Sequence, residues 1–266
     1  VVHGGFGGAP KFPTPANLEL LAAGLDFVPP SEATNIARFL TLTANEMARR
    51  GLFDQLGGGF HRYCVDASWT IPHFEKMLYD QGQLLSFYAE MARRSHAAAD
   101  FVWPIRETVE YLRREMTGEG GAYHASQDAD SEGVEGRHFV WTPTEIEAAL
   151  GEDAASFCTT YGVRTKGNFE NGTSHLVDEA RAPRREQAEA RAKLLAIRAR
   201  RAAPATDRKH VAAWNGYVVS GLARAASVLD DERMLADAVR AADFVLGSMV
   251  VNGRLMRVHD GGRAHV

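Results

Sequence analysis

Glycine-aromatic turns recur along this chain: GGFGGAPKF from Gly4, GGGFHRYCVD from Gly57, GGAYHASQDAD from Gly120, GNFENGTSHL from Gly167 and GRLMRVHDGG from Gly253. Between them lie segments whose apolar residues repeat with the helical period. A helix with one apolar stripe must cover that stripe with a neighbour, so helix pairs joined at a repeated kind of turn have to stack. The spacing is too irregular for a tight solenoid. The loops are also long and rich in His, Asp, Glu and Trp, whereas solenoid linkers are short. The expected class is all-α: helical hairpins closing into an (α/α)6 toroid, with short β segments in the inter-hairpin loops. A linear α-solenoid is the rival.

The punctuation predicts nine helices. Thr14 precedes Pro15 at a first helical position, opening a helix to Leu25, and Ser31 is the N-cap of a second that stops at Gly51. A second hairpin is expected over Phe74–Arg94 and Phe101–Thr117. Thr142-Pro143-Thr144-Glu145 is a capping-box pattern for a short helix to Gly151, and another short helix ends at Gly162. Longer ones follow at Arg185–Arg201, Val211–Leu229 and Asp231–Leu246. A closed toroid needs twelve, so residues 1–266 are read as one toroid domain, incomplete and truncated at both ends.

Length and composition restrict the partners. The chain has 266 residues, 45% hydrophobic and 24% charged, which is an ordinary globular make-up. A formal net charge of -4 gives no general attraction for phosphate backbones, so nucleic acid is not an expected partner. Cys64 and Cys158 stand far apart without metal-like spacing, which points to a reducing, cytoplasmic setting. No apolar run approaches the roughly 20 residues needed to cross a bilayer, so no membrane is expected. There is no phosphate-binding glycine loop ending in Lys-Ser/Thr, no H-E-x-x-H and no G-x-S-x-G, and neither a cofactor nor a metal is expected. Asp128, Asp130, Glu132 and Gly133 imitate the start of an EF-hand, but the twelfth position is Phe139, where calcium needs a carboxylate.

Chemistry concentrates between Asp54 and Leu85. A glycine turn there presents His61, Arg62, Tyr63 and Asp66, followed by Trp69 and a helix expected to start at Pro72. His73 and Glu75 would occupy that helix's first turn, with Glu75–Tyr79 and Lys76–Asp80 as i,i+4 neighbours. The pairs could equally be surface ion pairs. Imidazole and carboxylate are the side chains that acid/base work requires, so His61, His73 and Glu75 are catalytic candidates. Asp128, Asp130, Glu132 and Glu135 form a second, acidic group; it can split carboxyl pKa values into an acid and a base, or be a solvated turn. Asp128 and Asp130 join the catalytic candidates. Arg62, Tyr63, Trp69, Lys76, Tyr79, Glu132, Trp141, Lys209, Trp214 and Asn215 are the candidates for holding a ligand by stacking and hydrogen bonds.

The blocks HGGFGGAPKFP, GGGFHRYCVDASWTIPHFEKMLYDQGQLL, QDADSEGVEG with FVW, GNFE and DRKHVAAWNG run in order through nearly the whole chain. Together they resemble the spermatogenesis-associated, thioredoxin-domain-containing family. That resemblance implies a six-hairpin glycosidase-like toroid, similar to N-acylglucosamine 2-epimerases, and an attached thioredoxin-like domain lying outside these residues. Two functions follow as expectations. One is a carbohydrate-active enzyme, a sugar epimerase/isomerase or a glycoside hydrolase, acting on a small-molecule or oligosaccharide ligand. The other is a non-enzymatic module that binds a glycan or peptide for the redox domain. Whether the chain is an enzyme stays open at this point.

Overall fold

The computed structural model describes residues 2–95 and 98–266. Among them are nine α-helices: α1 (Pro15–Gly24), α2 (Pro30–Arg49), α3 (Leu78–Arg94), α4 (Ala99–Tyr111), α5 (Pro143–Leu150), α6 (Ala154–Thr160), α7 (Ala188–Arg198), α8 (Ala212–Leu229) and α9 (Glu232–Ser248). Helices joined by loops dominate each part of the chain, and strands of two or three residues occupy the loops. Local chemistry explains the boundaries. Thr142 Oγ1 accepts the Glu145 N–H while the Glu145 carboxylate accepts the Thr142 N–H, the reciprocal capping box expected for α5. Asp231 caps α9 by accepting from Arg233 and Met234. Helix α4 runs on into a π-helical turn, Leu112–Met116. Among the described residues no helix is long and apolar enough to cross a membrane.

The chain divides into two compact units, each drawn from three stretches. One comprises Val1–Pro13, Leu42–Glu75 and Asp128–Ala205; the other comprises Thr14–Thr41, Lys76–Gln127 and Thr206–Val266. In the first unit, α5, α6 and α7 enclose a core of Trp141, Ile146, Phe157, Tyr161 and Leu194. A second cluster there joins Phe74, Ala129, Phe139 and Val140. In the second unit α3 is central, with α8, α4 and α1 packed on it and α9 on α8.

Two glycines set how closely α3 and α8 approach. A β-carbon on Gly221 would stand 2.5 Å from the Gly82 carbonyl oxygen, and one on Gly82 would stand 2.5 Å from the Val218 nitrogen. Backbone cannot step aside as a flexible side-chain tip does. Helix propensity alone predicts that Gly221→Ala stabilises by about 1 kcal/mol, but overpacking costs about 1–3 kcal/mol. The clash is the larger effect, so Gly221→Ala is expected to lower the melting temperature. A rise on calorimetry would show that the helices can part.

The start of α3 departs from expectation. Pro72 does not open a helix; Pro72–His73 pairs antiparallel with Tyr63–Cys64, and Lys76–Met77 pairs with Ser126–Gln127. Burial alternates residue by residue from Pro72 to Leu78, the period of a strand. Glu75 and Lys76 therefore have no i,i+4 relation to Tyr79 and Asp80. Pairing with distant strands has outweighed the local helical pattern, as tertiary contacts commonly do.

Candidate functional site

In the first unit the hairpin Tyr63–Cys64/Pro72–His73 is closed by a loop wound around one carboxylate. Asp66 accepts hydrogen bonds from the N–H groups of Ser68, Thr70 and Ile71 and from the Ser68 hydroxyl. Burial alone would raise its pKa, but these donors hold the carboxyl below its ordinary value. The hairpin is thus a fixed platform. Strand alternation puts His73 and Glu75 on one side of it, half-exposed, while Pro72 and Phe74 turn inward.

On that side a connected set of polar groups forms. Arg62 Nη1 donates to Glu75 Oε2 at 2.9 Å, and His73 Nδ1 lies 2.8 Å from Glu135 Oε1. The other ring nitrogen, Nε2, faces Glu75 Oε2 at 3.8 Å, too long for a hydrogen bond. Tyr63 stacks on the His73 ring with centroids 5.1 Å apart, and Phe12 stacks on Tyr63 at 4.6 Å. Phe12, in the first glycine-rich loop, is held there by the Lys11–Cys64 bridge. Glu135 arrives on a second hairpin, Asp130–Ser131/Val134–Glu135, whose central residues Glu132 and Gly133 both have positive φ. That is the geometry of the tight primed turn. Asp130 is directly across from Glu135, so the two side chains leave the same face. Side-chain exposure is 30% for His73 and 23% for Glu75, enough to meet a ligand while staying ordered.

Expected site residues thus separate into groups. Arg62, Tyr63, His73 and Glu75 come together, with Asp130 across from Glu135. His61 does not join them: it is fully buried, its Nδ1 is 2.9 Å from the Phe74 carbonyl oxygen, and Phe74, Phe139 and His175 surround it edge-on. It packs as a core histidine. Trp69 and Trp141 are likewise buried and present no open face. Trp69 donates to the His3 carbonyl and lies under the Lys11 ammonium, and Trp141 lies 3.9 Å beneath the Arg201 guanidinium. Asp128 is exposed, and its carboxylate accepts the N–H of Ala129. Glu132 pairs with Arg137 at 3.3 Å, and both line a cleft of about 460 Å³ with His138, Thr142, Glu145 and Arg201. Among the described residues no group of His, Cys, Asp and Glu is arranged to hold a metal.

The remaining candidates belong to the second unit. Lys76 is buried with its ammonium 4.2 Å over the Tyr111 ring. Asn215 is also buried, clamping Tyr123 by accepting its N–H and donating to its carbonyl, which accounts for the side chain without a ligand. Lys209 pairs with Asp207 at 2.6 Å. Tyr79 and Trp214 meet edge to face at 5.1 Å and stay partly exposed.

Phe12 is the member of the set that the sequence reading overlooked. Its signal was an aromatic residue beside Pro13 in the first glycine loop. Nothing in the linear pattern says that this loop reaches Tyr63.

No family model matches the chain. Human spermatogenesis-associated protein 20 is 31% identical over 297 residues, and its rat counterpart is 33% identical over the same length. An uncharacterized protein of Caenorhabditis elegans is 31% identical over 291 residues. Each alignment covers 96% of this chain, while the chain spans between 37% and 40% of the length of these relatives. Among solved structures, a cellobiose 2-epimerase from Bacillus thermoamylovorans superimposes with a TM-score of 0.40 at 13% identity, covering 98% of this chain and 86% of that one. One from Spirochaeta thermophila gives 0.40 at 16% identity, covering 99% and 84%. A D-mannose isomerase gives 0.39 at 10%, covering 98% and 85%. At that level of likeness no function transfers.

Proposed function

We propose, for a chain that is homologous over 96% of its length to a segment of spermatogenesis-associated protein 20, that His73 is the acid/base centre of a carbohydrate-active enzyme. The supporting observation is the asymmetry of its two ring nitrogens. Glu135 engages Nδ1, which fixes the ring and favours the tautomer with the proton there; Nε2 then carries the lone pair, without a hydrogen bond and open to a ligand. A base oriented by a carboxylate is the arrangement that moves a proton on and off carbon. In an epimerase or isomerase reaction Nε2 takes the proton from the carbon next to the sugar's carbonyl, and the electron pair left behind moves onto the carbonyl oxygen. Arg62 donates to that developing negative charge. The imidazolium, stabilised by Glu135, then returns the proton to carbon, and the carbonyl re-forms.

Charge argues for a neutral ligand. One guanidinium stands among three carboxylates, Glu75, Glu135 and Asp130, so the site repels anions and suits a polyhydroxylated molecule that donates hydrogen bonds to carboxylate oxygens. Tyr63 is stacked with both Phe12 and His73, so its role is to orient the histidine. The outer face of Phe12, which is 42% exposed, is the platform left for stacking on a sugar.

The test is solvent hydrogen exchange. The full-length protein is incubated in D2O with a panel of aldoses, ketoses and disaccharides and followed by proton NMR. At least one sugar is expected to lose its signal at the carbon next to the carbonyl and to yield an epimer or isomer. Binding of a sugar without exchange or turnover of any panel member would replace the enzyme reading with that of a glycan-binding module.

A further inference from the structure

A second cleft, of about 340 Å³, lies within the second unit and has the opposite electrostatic character. Its walls include Arg113, Tyr123, Arg233, Asp237 and Arg240. Asp237 is buried and its one negative charge is shared. Arg113 donates to it through Nε at 2.7 Å and pairs through Nη2 at 2.6 Å, and Arg240 binds the other oxygen. The shared carboxylate aligns these two guanidiniums, and Arg113 also pairs with the exposed Glu110 at 2.6 Å, which leaves Arg240 and Arg233 as the donors facing a ligand. Arg240 commits a single Nη2 donor to Asp237, and Arg233, one turn of α9 before Asp237 and two before Arg240, is exposed. Burial, reinforced by Asp237, pushes the Tyr123 hydroxyl above its ordinary pKa, so it lines the cleft as a neutral O–H.

The cleft's construction is specialised. Arg113 sits in the π-helical turn Leu112–Met116, a local widening that is common at functional sites. Gly121, at φ 89°, lets its loop close against Arg240: a β-carbon there would stand 2.9 Å from that side chain. We propose that this cleft binds the phosphate of a small phosphomonoester. The positive charge left after Asp237 and Glu110 are counted favours a phosphomonoester, which carries about -1.5 to -2 near neutral pH, and the planar forks of Arg233 and Arg240 fit its oxygens. The cleft lies at the small end of the roughly 300–1,000 Å³ that ligand sites occupy. A phosphate with a short organic group fits; a polymer does not. The assignment is independent of the His73 centre.

The probes are glycerol 3-phosphate and inorganic phosphate, titrated calorimetrically into the full-length protein at constant ionic strength, with malonate as a dianion lacking phosphorus. Saturable 1:1 binding is expected for both phosphates, with malonate weaker. Arg233→Gln is expected to weaken glycerol 3-phosphate about tenfold, as loss of one charge-assisted contact does. This variant leaves the Asp237 network in place, so it keeps the test sound even where Arg240→Gln unfolds the chain. Absence of saturable binding, unchanged affinity in Arg233→Gln, or malonate binding more tightly than phosphate would each overturn the assignment.

Discussion

Asp54→Ala is expected to destabilise the chain by about 3–5 kcal/mol, the usual result of leaving a buried charge unpaired. Asp54 and Arg198 meet as a double fork, with 2.8 Å for each of its two bonds and side chains only 3% and 2% exposed. The same carboxylate accepts the N–H groups of Leu56 and Gly57, so it also sets the turn that leads to His61. At about 2–4 °C per kcal/mol for a chain of this size, the melting temperature should fall by on the order of 10 °C. Replacing both partners, Asp54→Ala with Arg198→Met, should recover part of the loss, because no buried guanidinium is then left without its carboxylate. An exposed pair is the control. Arg164 and Glu179 are 65% and 37% exposed, and Glu179→Ala should cost less than about 1 kcal/mol. Equal effects from Asp54→Ala and Glu179→Ala would mean that the buried fork contributes nothing special.

The other large effect is on turnover. Once a sugar that exchanges with solvent is found, His73→Ala should lower kcat by about 10²–10⁴-fold, the range that general acid/base groups supply. Stability should hardly change, because His73 is partly solvated and its bond to Glu135 is itself exposed. Glu135→Gln should give a smaller loss in kcat with KM little altered, since it disturbs the ring's orientation and tautomer and leaves Nε2 in place. His61→Ala should do the reverse, costing stability through a void among Phe74, Phe139 and His175. Full activity in His73→Ala, measured by the same deuterium exchange, would remove it from the chemistry.

These contrasts mark where linear reading succeeds. The Thr142–Glu145 capping box and Pro15 at a first turn were legible because their causes act within a few residues; Ser31 was not the N-cap expected, since α2 begins at Pro30, and Gly51 follows the end of α2 without a positive φ and donates to the distant Trp69 carbonyl. Membership of Arg62, Tyr63, His73 and Glu75 in one group was legible because they lie within fourteen residues on one hairpin. Its geometry was not. Ile71 to Met77 carries residues that suit a helix, and only pairing with Tyr63–Cys64 and Ser126–Gln127 makes it extended. His61 likewise reads as a loop histidine until Phe139 and His175, more than seventy residues away, close over it. Trp69 and Trp141 look like stacking platforms for the same reason, since sequence does not reveal which cation or carbonyl will cover a ring.

The interleaving of the two units bears on how the chain is made. No contiguous fragment consists of one unit alone, because each takes one stretch from the start, one from the middle and one from further along. During synthesis the hairpin bearing His73 emerges more than fifty residues before the Asp130–Glu135 hairpin that supplies its partner, and well before α7 brings Arg198 to Asp54. Until those stretches are made, Asp54 lacks its Arg198 partner and Phe74 lacks Ala129, Phe139 and Val140. A partly made chain in this condition exposes apolar surface and an unpaired charge, the state in which nascent chains are most prone to aggregate.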